Sequence, residues 1–244
     1  MKRILVVGGA NGIGLSIATE AAKKNECEKV YIVDKVEVNP IYMNPKFETF
    51  LFDLTSDDFS FFDQFTDIDS LMITAGFGKL ALFKNVPECY ITSSFAVNSV
   101  APVRIIHRFM NKLQNDKDFY CGVMVSIAGF MSSPLFAVYG ATKAALQIFI
   151  ESVNVELEKN GSSNRILNVS TGSLKGTSFS NGKTDLSVTA PMANDILDQM
   201  LAKNDLFIPQ YEEIFKNVLD RYHKDFREEG KHSYDYKVES GRIN

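Results

Sequence analysis

Ile4-Leu5-Val6-Val7-Gly8-Gly9-Ala10-Asn11-Gly12-Ile13-Gly14 is the stretch on which the fold turns. Its four leading apolar residues show no polar alternation, the pattern of a parallel strand covered on both faces. Glycines at 8, 12 and 14 break that run, and Ile13, Ile17 and Ala21 then recur at helical spacing. A strand, a tight glycine turn and a helix over 13–24 are therefore predicted in immediate succession. Working outward, apolar runs predict further strands at 30–33, 47–52, 71–74, 123–126, 166–170 and 206–208. Helical patterns at 88–113 and 138–158 separate some of them. Strands alternating with long helices imply right-handed crossovers, hence a doubly wound (Rossmann) α/β fold with helices on both faces of a parallel sheet. No repeat or linker interrupts the pattern, so residues 1–244 read as a single domain. The Ser/Thr/Gly-rich loop at 172–190, carrying Lys175 and Lys183, is a candidate lid. The charged, polar tail after about 228 receives no element.

Composition narrows the function classes. At 244 residues the chain is near the upper size of one α/β domain, with 45% hydrophobic and 23% charged residues, ordinary globular values. A net charge of −4 argues against nucleic acid, because phosphate backbones need a basic face. Three scattered cysteines (Cys27, Cys89, Cys121) form no Cys-x-x-Cys pair and read as thiols of a reduced, cytoplasmic protein. His107, His223 and His232 show no ligand spacing, so no metal site is expected. The apolar stretch after Met1-Lys2-Arg3 is too short for a signal peptide or a membrane span.

The glycine turn has a chemical use. Gly8, Gly12 and Gly14 let the backbone approach a pyrophosphate, and the amides of Asn11, Gly12 and Ile13 lie where the positive end of the helix faces the phosphates. Asp34, at the end of the second strand and twenty residues beyond Gly14, can accept both ribose hydroxyls of NAD and would repel the extra phosphate of NADP. Its bland alternative is an Asx-turn or cap. Lys35 is the one nearby cation. Asp53, with Leu54 and Thr55, suits either the adenine edge or, for Asp53, the N-cap of a following helix. Ala75 and Gly76 close the fourth strand where a dinucleotide would cross the sheet.

Tyr139-Gly140-Ala141-Thr142-Lys143 places a phenol and an ammonium four apart on one helix face. The interval alone says little: Tyr31…Lys35 and Tyr42…Lys46 repeat it, one on a strand and its turn, the other across Pro45. Ser126 closes the fifth strand, where open α/β sheets place ligands, and Asn98 sits mid-helix, where a short amide is otherwise unhelpful. Each has a structural alternative; their order behind this glycine turn is what speaks for a site.

Through the glycine turn, Asp34, Asp53, Ala75-Gly76, Asn98, Ser126, Tyr139 and Lys143, residues 1–210 resemble the compact branch of the short-chain dehydrogenase/reductase family. The resemblance implies a seven-stranded sheet and an NAD(H)-dependent oxidoreductase acting on an alcohol or carbonyl substrate. It implies a catalytic tetrad of Asn98, Ser126, Tyr139 and Lys143, and a homodimer or homotetramer packed through 88–113 and 138–158. Tyr139 would be the general acid/base, Ser126 would hold the substrate oxygen, and Asn98 would position a water linking Lys143 to solvent. A free phenol titrates about three units too high for a base at neutral pH, roughly 4 kcal/mol. A charged Lys143 about 4 Å away would supply roughly that amount at an effective dielectric of 20. Three departures concern cofactor support: Val7 for the usual threonine, Thr74 for an asparagine, Thr171 for a proline. The alternative, a non-catalytic dinucleotide-sensing or scaffolding protein, would show a degraded tetrad; an epimerase would need a substrate domain for which there is no room. Phe77, Phe130, Met131, Phe136 and Phe179 flank the expected pocket as an apolar wall or as ordinary packing.

Overall fold

The computed structural model describes residues 1–55, 58–177, 179 and 183–239. Seven strands form one parallel sheet in the order β3-β2-β1-β4-β5-β6-β7. They are β1 (Arg3–Val7), β2 (Lys29–Asp34), β3 (Phe47–Leu51), β4 (Ser70–Ile73), β5 (Tyr120–Met124), β6 (Ile166–Val169) and β7 (Leu206–Phe207). The order reverses between β1 and β4, and the crevice beyond the carboxyl ends of those strands is where such sheets bind ligands.

Both faces are covered because the strand residues are apolar on both. Leu5 and Val7 of β1 point into one layer with α3 (Ala101–Arg108) and α5 (Ala137–Lys159). Ile4 and Val6 point into the other, with α1 (Gly12–Lys23) and α6 (Leu186–Leu201). A seam of aromatic rings, among them Tyr31, Phe50, Phe52, Phe59, Phe61, Phe62 and Phe65, closes the first layer under β2 and β3.

The long helix expected at 88–113 is interrupted. It consists of α2 (Glu88–Phe95), a π turn at Ala96–Val100, α3 and the short α4 (Met110–Leu113). Pro102 explains the wider turn: having no N–H, it cannot donate to the carbonyl of Asn98, four residues back. The fifth strand ends earlier than expected, leaving Ser126 two residues beyond β5 as the N-cap of a 3-10 turn at Ile127–Gly129. The candidate lid is shorter too, since Asp185 caps α6 and residues from 186 are helical. The tail after about 228 is helical through residue 239 as part of α8 (Phe226–Glu239), which pairs with the preceding α7 (Lys216–Lys224) through a bidentate Arg221–Glu229 contact of 2.6 and 3.1 Å.

Candidate active site

The glycines of the first turn are sterically required. Gly8 has φ +86°, and a Cβ there would lie 2.4 Å from the amide nitrogen of Ala75. A Cβ on Gly14 would stand 2.2 Å from the carbonyl oxygen of Gly8. Thr74, in place of the usual asparagine, braces the same turn: its Oγ1 reaches the carbonyls of Val7 and Gly8 at 3.1 and 2.9 Å. Asn11 is the N-cap residue of α1, but its side chain makes no capping bond. The amide of Gly12 donates instead to Thr184 Oγ1 at 3.0 Å, a hydroxyl brought from the loop before α6. Ile13 packs on the core layer beside α1.

Asp34 leans back over this turn. Its Oδ2 accepts from the Ala10 amide at 2.9 Å, and its Oδ1 accepts a longer bond, 3.4 Å, from Val36. The Asx-turn alternative is thus present together with the approach to the glycine loop. Asp53 does not take the expected N-cap role: it accepts from the amide and hydroxyl of Thr55 at 2.9 and 2.8 Å, which hold its carboxyl below the usual range. The N-cap of the next helical turn (Phe59–Gln64) is Asp58, because that turn begins five residues further on than an Asp53 cap requires. Leu54 packs against the core layer under β2 and β3. Gly76 connects the two ends of the site: a Cβ on it would lie 3.3 Å from Asn98 Oδ1 and 3.4 Å from Lys143 Nζ.

The four polar residues expected to act together do converge. The 3-10 turn after β5 presses on α5 through two glycines: a Cβ on Gly129 would meet the Lys143 backbone at 2.8 Å, and one on Gly140 the Ala128 carbonyl at 3.1 Å. That close approach sets Ser126 beside Tyr139. Ser126 Oγ accepts from the Ala128 amide at 3.1 Å and lies 3.5 Å from the carbonyl of Thr171, so the residue standing in place of the family's proline contributes its backbone. Asn98, fully buried, grips Phe77 from both sides: Oδ1 accepts from its amide at 3.0 Å, and Nδ2 donates to its carbonyl at 2.8 Å. The second Nδ2 hydrogen goes to Thr142 Oγ1 at 3.2 Å. Both amide donors are therefore spent on holding the chain around the site. Thr142, which sequence reasoning passed over, in turn donates to the Tyr139 carbonyl at 2.7 Å.

The electrostatics differ from expectation. Lys143 Nζ donates to the Met124 carbonyl at 2.8 Å and lies 5.8 Å from the centre of the Tyr139 ring. Burial pushes the Tyr139 phenol up to about 12, against a smaller lowering by its hydrogen bond to Ser126, and pushes the Lys143 ammonium down to about 7. The acidified phenol inferred from the Tyr-Lys spacing is not present in the chain by itself, because loss of solvent outweighs the hydrogen bond from Ser126. Apolar groups complete the enclosure. Phe136 and Phe179 stand 5.1 and 5.2 Å from the Tyr139 ring, and Phe77 meets Tyr90 edge-on at 5.4 Å. Of the five expected wall residues, Phe77, Phe136 and Phe179 are thus assembled here; Phe130 and Met131 are half-buried outside these ring contacts.

Among the described residues, no group of three or more His, Cys, Asp or Glu side chains could hold a metal ion, and no helix is long and apolar enough to cross a membrane. A yeast protein (Saccharomyces cerevisiae) named uncharacterized oxidoreductase TDA5 is 24% identical over 199 residues, which cover 78% of this chain and 60% of that protein. A short-chain dehydrogenase from Streptomyces avermitilis superposes with a TM-score of 0.73 at 18% identity, covering 96% of this chain and 97% of its own. An alcohol dehydrogenase from the archaeon Thermococcus sibiricus, solved in complex with 5-hydroxy-NADP, gives 0.70 at 16% identity over 85% of this chain and 95% of its own. The sequence profile of the family described as short chain dehydrogenase matches residues 2–185. With three quarters of its length matched, the chain belongs to the short-chain dehydrogenase family of oxidoreductases, and it spans about half to two thirds of the length of the curated relatives it matches.

Proposed function

We propose that this chain passes hydride between NAD(H) and an alcohol or carbonyl, with Tyr139 as the general acid/base. The observation that carries the reading is the meeting of Ser126, Tyr139, Lys143 and Asn98 beyond β4 and β5, joined to the glycine turn through Ala75-Gly76.

The residues present suit a dinucleotide. The turn admits no side chain at Gly8 or Gly14, and the Gly12 amide already faces an oxygen, that of Thr184, in the way a phosphate oxygen would be met. Gly8, Asn11, Gly12, Ile13 and Gly14 would hold the pyrophosphate, Asp34 the adenine ribose, and Asp53, Leu54, Ala75, Gly76, Tyr139 and Lys143 the rest. The carboxylate of Asp34 supports NAD over NADP, since a phosphate there would meet its negative charge. The bound cofactor supplies the hydride acceptor or donor.

The chain's own residues handle the proton. At neutral pH the Tyr139 phenol, pushed up to about 12, holds its proton ready for a carbonyl oxygen, as reduction requires. Ser126 Oγ, beside the phenol, holds that oxygen. Lys143, pushed down to about 7, gains and loses a proton near neutrality and can resupply the phenol. For oxidation the phenol must first be made acidic, and a charged Lys143, its Nζ 5.8 Å from the centre of the Tyr139 ring, is the neighbour that would favour the phenolate. Asn98 keeps the wall in place through Phe77 and Thr142. Phe179 and Thr184 make the loop before α6 a lid that covers both the phenol and the glycine turn.

The same reading makes residues 1–244 one catalytic domain and the assembly a homodimer or tetramer. Phe95, Val100, Ile148 and Val155, 37–60% exposed on the outward faces of the helical run 88–100 and of α5, support that packing. Three free cysteines, Cys27, Cys89 and Cys121, support work in the cytoplasm. The test is a screen of alcohols and ketones by nicotinamide absorbance, with NAD and NADP in parallel, on wild type and Tyr139→Phe. Turnover should fall by about 10²–10⁴ in the variant with NAD binding by calorimetry retained. Full activity in Tyr139→Phe, or no turnover in wild type with any substrate, refutes the reading.

A further inference from the structure

The corner that carries Phe136 against Tyr139 is strained, and it is held from outside. Leu135 has φ +66°, in the left-handed region that a branched apolar side chain rarely adopts, yet it is 6% exposed and packed. Two contacts from distant parts of the chain keep it there. The Ala81 amide donates to the Leu135 carbonyl at 2.9 Å. From α8, the Lys237 ammonium donates to the Pro134 carbonyl at 2.8 Å and to Ser133 Oγ at 2.9 Å, and stands 5.9 Å from the centre of the Phe136 ring. The same face of the helix is seated on the corner two turns earlier, since a Cβ on Gly230 would touch Ser132 Oγ and Pro134 Cγ at 3.6 and 3.7 Å. Lys237 lies 52 residues beyond the end of the family match at residue 185, yet it acts three residues before the ring that packs against the phenol.

We propose that Lys237 is a positioning residue for the substrate cleft: reaching from α8, it clamps the 133–135 corner, sets how closely Phe136 stands to Tyr139, and so limits the bulk of the carbonyl substituent admitted. The proposal rests on the oxidoreductase reading above. Ser133 and Pro134 offer a hydroxyl and a carbonyl, to which an ammonium can donate two of its three hydrogens while the third serves Ser233 Oγ at 3.0 Å. Without these bonds Leu135 can leave the left-handed region, and the Phe136 ring, next in the chain, moves with it.

Wild type, Lys237→Met and Lys237→Arg are compared in three measurements. Amide exchange over 132–139 should speed up by about tenfold in Lys237→Met and be largely restored in Lys237→Arg. The KM for propiophenone relative to that for butanone should fall by about fivefold in Lys237→Met, with kcat for butanone within about twofold of wild type. NAD affinity by calorimetry should be unchanged. A purely structural loss would lower all activities together with melting temperature, without the KM split or the arginine rescue. Unchanged exchange at 132–139, or an unchanged KM ratio in an active enzyme, overturns the proposal. If wild type reduces no carbonyl, it is the oxidoreductase reading that has failed; the exchange measurement still decides for or against the clamp.

Discussion

Replacing Lys143 with methionine should make the protein more stable while removing its activity. The ammonium is 3% exposed, and burial lowers it from its ordinary 10.5 to about 7. Between those two values the unfolded chain binds a proton that the folded chain does not, so wild-type stability rises as pH climbs from about 7 towards 10.5. At neutral pH the folded chain therefore carries a penalty of about 4 kcal/mol from this one group. Methionine matches the stem and needs no proton. Loss of the bond to the Met124 carbonyl takes back about 1 kcal/mol, leaving a gain near 3 kcal/mol. In a chain of this size that corresponds to a rise in melting temperature of about 6–12 °C. The sign over pH is the sharper test: the advantage of Lys143→Met should be largest at and below about pH 7 and shrink by about 2 kcal/mol by pH 9, as wild type sheds its penalty. Urea unfolding of both proteins at pH 6, 7.5 and 9 measures it. An advantage that is absent, or that grows with pH, would show that burial does not push the Lys143 ammonium down.

Other outcomes follow from contacts in the site. Gly14→Ala puts a methyl 2.2 Å from the Gly8 carbonyl and 2.4 Å from Thr74 Oγ1, so it should cost about 3 kcal/mol or more in denaturant unfolding and abolish NAD binding by calorimetry. Asp34→Ser removes the carboxylate that meets the Ala10 amide; NAD should bind about tenfold more weakly and the preference over NADP should narrow, as titration of both cofactors will show. Thr184→Val removes the hydroxyl that competes for the Gly12 amide, so NAD affinity should rise by about three- to tenfold, and a weaker affinity counts against the competition.

Much of the framework was legible in local pattern. Central strands such as β1 and β4 were readable because apolar runs with no polar alternation, set between helices, have few other uses in a parallel sheet, while the edge strand β3 carries Glu48 and Thr49 among its apolar residues. Ends were read less well: Ser126 looked like the last residue of its strand but caps a 3-10 turn, since pairing with β6 stops at Met124. The tail was missed because α7 and α8 bury little, Leu219 in one and Glu229 and Gly230 in the other, so charge dominates their sequence. The loop expected at 172–190 overlaps only the first turn of α6, which holds Ser187 and Thr189 and is followed by Pro191. The π turn at Asn98 had a signal, Pro102 four residues on, that a helical periodicity count passes over.

By itself the sequence determined the parallel sheet and the glycine turn, since strand periodicity and glycine conformation are properties of neighbouring residues; Asn98 and Ser126 were named by their order behind that turn and by family resemblance, as was the titrating pair Tyr139 and Lys143. The tertiary structure alone decided the protonation of those residues, the Thr184 oxygen on the Gly12 amide across 172 positions, and the hold of Lys237 on Ser133 across 104. Each of these depends on desolvation or on a contact between distant segments, quantities set by the packing of every element around a group and written in no single stretch of chain.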